Sequence, residues 1–232
     1  MTHAMAQATR THLVTGAGSG IGEVIADRLH QRGDRLVLLA RSGDRADHLA
    51  DRFPGCATVV ADLADHEALV DLGGPDALDT LVHAAGVVDL APLAEVDWHQ
   101  WRQQLDVNLT APAMLTQALL PALRAARGTV VFVNSGAGLN AEPQWAGYAA
   151  SKFGLRALAD ALRAEEAEHG VRVTSVYPGR TATPMQQKVH EQEGRQYDAD
   201  EWIRPETVAD AILNVLDLPP DATVSDLRVQ PT

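Results

Sequence analysis

Short apolar runs alternate with longer helical patterns along nearly the whole chain of 232 residues. Strands that are apolar throughout are typical of a parallel sheet covered by helices on both faces. We therefore predict an α/β fold with a doubly wound, mainly parallel sheet of seven strands. The predicted strands are residues 11–15, 35–40, 57–61, 78–84, 129–134, 171–177 and 223–229, and the predicted helices are residues 21–32, 45–52, 98–126, 146–169 and 205–216.

We find no linker and no internal repeat that would divide the chain into domains. Residues 11–232 are predicted to form a single domain, preceded by a flexible lead-in at residues 1–10. Residues 180–203 are expected to act as a lid, because positions 185–202 are polar, contain Gly194 and show no strand pattern. Loops that close over a bound ligand often have this character.

Charge and cysteine content exclude several kinds of partner. The net charge of −12 argues against a nucleic acid or an anionic membrane surface. The single cysteine, Cys56, cannot form an intrachain disulfide, which suits a cytoplasmic protein, and we interpret it as a small buried residue. No apolar run reaches membrane-spanning length, and we predict no metal site.

A glycine-rich loop follows the first predicted strand and leads directly into the first predicted helix. It reads Thr-Gly-Ala-Gly-Ser-Gly-Ile-Gly over residues 15–22. Glycines allow a tight turn and let backbone N–H groups approach a pyrophosphate, while the helix N-terminus attracts its charge. A flexible turn would also be rich in glycine, but the strand before and the helix after favour a phosphate-binding loop.

Tyr148 and Lys152 are four residues apart in a predicted helix, so their side chains share one face. An ammonium beside a phenol favours the phenolate, so we expect Lys152 to lower the pKa of Tyr148 below its free value of about 10. Such a phenol can donate a proton to a carbonyl oxygen or take one from an alcohol.

Together these motifs resemble those of the short-chain dehydrogenase/reductase family, in its single-domain branch with a Rossmann-like fold. Thr15, Gly16, Gly20 and Gly22 match its T-G-x-x-x-G-x-G pattern, and Tyr148 and Lys152 match its Y-x-x-x-K pattern. Asp62-Leu63, His83-Ala84-Ala85-Gly86, Asn108, Ser135, Pro178-Gly179 and Thr183 match further family elements in order. The resemblance covers roughly residues 11–229 and implies an oxidoreductase that uses a nicotinamide cofactor.

The resemblance implies catalytic roles for four residues and cofactor contacts for a larger set. Ser135 would polarise a substrate carbonyl, Tyr148 would transfer the proton, Lys152 would hold the nicotinamide ribose, and Asn108 would anchor a water. Each has a simpler explanation: Ser135 as a strand cap, Asn108 as a partner of helix backbone, Tyr148 as core. The expected cofactor contacts are Gly16, Gly18, Ser19, Gly20, Ile21, Gly22, Arg41, Ser42, Asp62, Leu63, Ala84, Ala85, Gly86, Asn108, Tyr148, Lys152, Pro178, Gly179, Thr181 and Thr183.

The chain departs from the family pattern at His83 and Ala84, where two asparagines are usual. We expect a changed local hydrogen-bond network with activity retained. His83 could act as a base, but a hydrogen-bonded structural histidine is the commoner state.

The end of the second strand favours NADP(H) over NAD(H). An NAD site normally has an acidic residue there for the ribose 2′-OH, and this chain has Arg41 followed by Ser42. A guanidinium suits a 2′-phosphate, and Arg45 lies one turn further on. Arg41 could instead be a solvated surface charge, and Asp44 could offset it.

The substrate pocket is expected to include Gly136, Asn140, Trp145 and Arg180. Arg180 could meet an anionic substrate, face solvent or pair with a nearby carboxylate. The substrate itself, a small carbonyl compound or alcohol, is left open, as are the direction of the reaction and its stereochemistry.

Apolar faces at residues 111–123 and 155–162 indicate a homodimer or homotetramer, since one face of each helix covers the sheet and a second would need a partner. A non-catalytic NADP(H) sensor on the same fold is the alternative function. A sensor needs no proton donor, lysine and serine together, so their presence favours the enzyme. A dehydrase or epimerase remains a further possibility within the enzyme class.

Overall fold

The computed structural model describes residues 9–232. The predicted lead-in therefore lies, except for its last two residues, outside the described residues. Arg10 is held in place: its N–H donates to Asp34 at 3.1 Å, and its guanidinium donates to the Asp217 carboxylate at 2.6 Å.

Seven strands and eight α-helices alternate along the described chain. The strands are β1 (Thr11–Thr15), β2 (Arg35–Ala40), β3 (Ala57–Val60), β4 (Thr80–His83), β5 (Thr129–Val133), β6 (Arg172–Pro178) and β7 (Asp226–Val229). The helices are α1 (Gly20–Gln31), α2 (Gly43–Arg52), α3 (His66–Val70), α4 (Trp98–Leu105), α5 (Ala111–Ala126), α6 (Ala146–Glu165), α7 (Pro184–Gln192) and α8 (Pro205–Leu216).

All seven strands form one parallel sheet in the order β3-β2-β1-β4-β5-β6-β7. The chain runs outward from β1 to β3, returns to place β4 beside β1, and then runs outward in the other direction. Between β1 and β4 the connecting loops diverge to opposite faces of the sheet, which leaves a crevice at the carboxyl ends of the strands. The predicted fold class is confirmed.

Two apolar cores cover the two faces of the sheet. One packs α1, α2 and α8 against side chains such as Val14, Val82 and Val131. The other packs α5 and α6 against Leu13, Leu81 and Phe132. Successive residues of β1, Leu13 and Val14, thus point to opposite cores, and both are fully buried. This explains why the strand is apolar throughout.

The long predicted helix at residues 98–126 is interrupted. α4 and α5 are joined by a π-helical turn at Asp106–Thr110, in which each backbone bond spans one residue more than in an α-helix. Asn108 lies in this turn, so the irregular backbone is located at a predicted catalytic residue.

Two helices were not predicted. α3 begins at an N-cap, Asp65, whose carboxylate accepts from the N–H of Ala68. α7 occupies the first half of the predicted lid; Thr183 caps it by accepting from the N–H of Gln186, and Pro184 is its first residue. Val189 and His190 on α7 are buried, so this part of the lid is packed in the described structure. Its mobility stays a prediction.

Within residues 9–232, no helix combines the length and the apolar character that crossing a membrane would require. The same part of the chain holds no group of three or more His, Cys, Asp or Glu side chains placed to bind a metal ion.

Candidate active site

Two adjoining cavities form one groove across the carboxyl ends of the central strands. Their volumes are about 290 Å³ and about 380 Å³. They share the lining residues Gly16, Ser19, Ala85 and Gly86, which belong to the loops after β1 and β4. We call the part of the groove lined by Ser135, Tyr148 and Lys152 the catalytic end, and the part lined by Arg41, Arg45 and Asp62 the arginine end.

The glycine-rich loop is packed so closely that two of its glycines admit no side chain. Gly16 has φ +72°, and an added Cβ would lie 2.7 Å from the backbone nitrogen of Ala85. A Cβ on Gly22 would lie 2.5 Å from the carbonyl oxygen of Gly16. The Thr15 hydroxyl also accepts from the N–H of Ala85 at 3.2 Å. The loop after β1 is therefore fixed against the loop after β4, where the floor of the groove lies.

At the start of α1, Ser19 is the N-cap residue, but its side chain makes no capping hydrogen bond. Helix N-termini carry unpaired N–H groups and a partial positive charge, which together suit a phosphate. Since Ser19 lines both cavities, this helix end faces the middle of the groove.

The arginine end is exposed to solvent. Arg41 directly follows β2, and Arg45 lies in the first turn of α2 with its guanidinium near Gly18, 3.7 Å from where a Cβ would be. Ser42 is the N-cap of α2 and, like Ser19, makes no side-chain capping bond. Two guanidinium groups thus line this end of the groove, and the N-terminus of α2 lies beside it, a combination suited to a phosphate.

At the catalytic end, Ser135, Tyr148 and Lys152 line the same cavity, and the Ser135 hydroxyl accepts from the N–H of Ala137 at 3.1 Å. Tyr148 is buried, and burial raises the pKa of its phenol to about 12, with the nearby Ser135 hydroxyl acting in the opposite direction. The expected lowering of this pKa is therefore wrong for the structure as described, because burial disfavours the charged phenolate and raises the pKa instead. A phenol with a high pKa keeps its proton at neutral pH and can act as a donor.

Lys152 lies one helical turn beyond Tyr148 on α6, with its nitrogen 5.7 Å from the centre of the Tyr148 ring. Its Nζ donates to the carbonyl oxygen of Val133 at 3.0 Å. Burial lowers the pKa of Lys152 to about 8, since an ammonium removed from water is less favourable. The same charge, second to burial, helps to lower the pKa of His83 to about 3.

Asn108 anchors the loop behind the catalytic end. Its Oδ1 accepts from the N–H of Val87 at 2.8 Å, and its Nδ2 donates to the carbonyl of Val87 at 2.9 Å and to the hydroxyl of Ser151 at 3.0 Å. These hydrogen bonds fix the loop after β4 against α6. The expected role of Asn108 in holding a water stays a prediction.

Two other buried polar residues stabilise the same end. Asn134, which sequence reasoning missed, donates to the carbonyl of Lys152 and accepts from the N–H of Ser135. Its position at the carboxyl end of a central strand, next to Ser135, was the available signal. His83 lies 2.8 Å from the Thr116 hydroxyl and stacks on Phe132, with ring centres 5.0 Å apart. His83 is thus a hydrogen-bonded core residue, as expected for the structural alternative.

Beyond Tyr148 the cavity wall is mostly apolar. Val88, Trp145, Met185 and Val189 line it, and Trp145 meets the Tyr148 ring edge-on at 5.7 Å. Arg180 also lines the cavity, and its guanidinium donates twice to the Glu193 carboxylate, at 2.9 and 2.6 Å. Of the three alternatives for Arg180, the structure therefore has the pairing with a carboxylate.

Most predicted site residues line the groove. Those at the catalytic side are Gly16, Ser19, Gly20, Ile21, Ala84, Ala85, Gly86, Ser135, Trp145, Tyr148, Lys152, Pro178, Gly179, Arg180, Thr181 and Thr183, and those at the arginine end include Gly18, Arg41, Asp62 and Leu63. Five others do not line either cavity: Gly22, Ser42, Asn108, Gly136 and Asn140. Asn140 is exposed, and its amide donates to Glu142 at 2.7 Å, so the loop holds it away from the pocket.

The groove fits an extended dinucleotide. Its two cavities meet at the glycine-rich loop. There Gly16 packs directly against the backbone of Ala85, and no side chain caps the N-terminus of α1.

Comparisons with known proteins agree with this arrangement. Residues 10–194 match the family model described as short chain dehydrogenase. An uncharacterized oxidoreductase of Staphylococcus epidermidis is 31% identical over 228 residues, with 94% of this chain and 96% of that protein covered. L-xylulose reductase of Bos taurus is 38% identical over 183 residues, with 78% of this chain and 75% of that protein covered.

A solved structure of a metagenomic short-chain oxidoreductase in complex with NADP is also similar. It superposes with a TM-score of 0.80 at 30% identity and covers 98% of this chain and 99% of that one. The chain belongs to the short-chain dehydrogenase family of oxidoreductases, as its motifs indicated.

Proposed function

We propose that this protein is an NADP(H)-dependent oxidoreductase that reduces a carbonyl compound to an alcohol, or catalyses the reverse reaction. The observation that carries the proposal is that Ser135, Tyr148 and Lys152 line one cavity, at the end of a groove that continues along the glycine-rich loop. Two hydroxyls that face one cavity beside a buried ammonium can bind one carbonyl oxygen together.

In the proposed mechanism, bound NADPH supplies the hydride. Ser135 donates a hydrogen bond to the substrate oxygen and polarises the carbonyl. Tyr148 gives its phenolic proton to the same oxygen as negative charge develops there. Lys152 stabilises the resulting phenolate through its charge, and Asn108 holds the loop that completes the pocket. In the direction of oxidation, Tyr148 would take the proton from the alcohol.

NADP(H) is proposed over NAD(H) because the arginine end carries Arg41 and Arg45 where a 2′-phosphate would lie. The solved relative with bound NADP supports this preference. Asp62, in the same cavity, would face the adenine.

We further propose a homodimer or homotetramer. Phe153 on α6 and Trp98 on α4 are 42% and 63% exposed, and a partner subunit would cover these large apolar side chains. Light scattering coupled to size-exclusion chromatography would measure the assembly, and a monomer at micromolar concentration would contradict it.

The test of the activity is the decrease in NADPH absorbance with a panel of ketones, aldehydes and diketones, for the wild type and Tyr148→Phe. Phenylalanine keeps the ring and removes the transferable proton. We expect the variant to bind NADPH normally and to lose about 10²–10⁴-fold in kcat. Unimpaired turnover would overturn the mechanism, and binding of NADPH with no turnover across the panel would favour a sensor.

A further inference from the structure

The pairing of Arg180 determines which charge the substrate cavity presents. Lys152 and Arg180 are cationic residues that line it. Lys152 lies at the catalytic end, where its nitrogen donates to the carbonyl oxygen of Val133. Arg180 lies just after β6, where it could select for an anionic substrate.

Glu193 opposes that charge, and its carboxylate also lies 3.7 Å from the more exposed Arg195. Arg180 donates two short hydrogen bonds to the Glu193 carboxylate. The side chains of Arg180 and Glu193 are only 29% and 13% exposed. The hydrogen bond from Arg180 holds the pKa of Glu193 below its usual range, so this carboxylate stays ionised at neutral pH. An anion that approached Arg180 would therefore also meet a fixed negative charge.

Aromatic rings restrict the orientation of the same guanidinium. Its central carbon lies 5.9 Å from the ring centre of Trp145 and 5.5 Å from that of Trp202. Such cation–π contacts favour a fixed orientation, with Arg180 directed at Glu193.

The apolar wall of the cavity beside Arg180 offers no charged partner for the carboxylate of a substrate. Val88, Trp145, Met185 and Val189 are apolar and pack with Tyr148 in one cluster. Gln186 adds a neutral amide, itself 3.0 Å from His190. An anionic group placed against this wall would lose hydration and would find the Arg180 guanidinium already paired, which is costly.

We propose that the Arg180–Glu193 pair makes this enzyme selective for neutral, apolar carbonyl compounds and against substrates that carry a carboxylate. Glu193 is then a specificity-determining residue that acts by neutralising Arg180. The inference rests on the proposed function, since it names the substrate class of the same site.

The experiment compares methyl 4-acetylbenzoate with 4-acetylbenzoate, and methyl levulinate with levulinate, at saturating NADPH. Each pair has the same reacting ketone and differs in charge. We expect the wild type to prefer the esters by roughly tenfold or more in kcat/KM. Glu193→Gln keeps the shape and one of the two acceptor oxygens while removing the charge, and should raise kcat/KM for the acids by roughly tenfold.

Glu191→Gln is the matched control. It removes the same charge two residues away on α7, where Glu191 is exposed and contacts Gln187 rather than Arg180. It should leave the ratio of ester to acid unchanged. The double variant Arg180→Gln/Glu193→Gln should lose the gain toward acids, because the freed guanidinium is then absent. Thermal unfolding of each variant verifies that it is folded.

A binding measurement gives a second readout. Calorimetric titration of the NADP-bound enzyme with benzamide and benzoate should show that the wild type binds benzamide more tightly, and that Glu193→Gln gains affinity for benzoate only.

Faster reduction of the acids by the wild type, or equal response of Glu193→Gln and Glu191→Gln, would overturn the inference while the proposed function stands. If NADPH binds but no ester or acid is reduced, the proposed function falls and the inference with it.

Discussion

The two ends of the groove are built in opposite ways. At the catalytic end, Tyr148 and Lys152 are only 5% and 3% exposed, and backbone carbonyls and neighbouring side chains hold the polar groups. At the arginine end, Arg41 and Arg45 are exposed and project from the surface beside an open helix N-terminus.

The two ends therefore differ in how far their side chains are fixed before a ligand binds. Burial has moved two pKa values at the catalytic end, and the positions there are fixed before any ligand arrives. The arginine end offers charge without fixed geometry, so its side chains can adjust to a phosphate. Substitutions should therefore affect chemistry and stability at the catalytic end, and only ligand affinity at the arginine end.

After Tyr148→Phe, the largest effect is expected for Ser135→Ala, which removes a hydrogen-bond donor from the oxygen where charge develops. Loss of one such donor typically costs about 10²–10³-fold in kcat. Steady-state rates of NADPH oxidation would measure this, with the Kd for NADPH expected to stay within about twofold. A kcat within about tenfold of the wild type would show that Tyr148 alone is sufficient.

Asn108→Ala should reduce the free energy of unfolding by about 2–4 kcal/mol, because the N–H and carbonyl of Val87 both lose their partner. Urea denaturation measures it. Asn140→Ala is the matched control: its amide is exposed and contacts Glu142, so its effect should stay within about 0.5 kcal/mol. Equal effects of the two substitutions would contradict the view that the catalytic end is held by buried hydrogen bonds.

Arg41→Ala should weaken NADPH binding by roughly 10- to 100-fold, the range for a charged hydrogen-bonding group, and leave NADH binding and stability unchanged. Fluorescence titration with each cofactor separates the two effects. Arg35→Ala, an exposed arginine at the other end of β2, serves as the control. Equal weakening of NADPH and NADH would mean that Arg41 does not meet a 2′-phosphate.

The smallest effect is a dependence on pH. The pKa of Lys152 is lowered to about 8, so its charge is present below pH 8 and is lost above it. Tyr148, with a pKa of about 12, keeps its proton throughout this range. For carbonyl reduction, kcat/KM for NADPH should fall by about tenfold between pH 7 and pH 9.

Lys152→Arg provides the comparison for this profile, because a guanidinium stays charged at high pH. The decline should move to higher pH in that variant, even if its rate is lower overall. A profile that is flat through pH 9 in the wild type would contradict the assignment to Lys152.

Much of the fold could be predicted from sequence because its signals are local. The apolar strands and the loop at residues 15–22 need no knowledge of distant contacts. α7 also has a local signal, the Thr183 cap followed by Pro184, but its polar sequence lacks the apolar periodicity by which the other helices are recognised.

The remaining features depend on how the chain folds around each residue. The pKa of Tyr148 is set by how much protein surrounds it, which a Tyr–Lys spacing cannot reveal. The contacts of Asn108 with Val87, like those of Arg180 with Glu193, join separate elements. The closeness of Asn140 to Tyr148 in the chain suggests a place in the pocket, but its loop turns outward.

The π-helical turn at Asp106–Thr110 determines how far α5 is rotated about its axis relative to α4. One extra residue rotates the next helix, α5, by about 100° relative to a continuous α-helix. α4 packs against the start of α6, where Gln104 and Trp101 lie so close to Gly147 that a Cβ would contact both. Deleting one residue from the turn would make a regular helix and turn that face away from Gly147, next to Tyr148. The groove is thus sensitive to the number of residues in this turn as well as to their side chains.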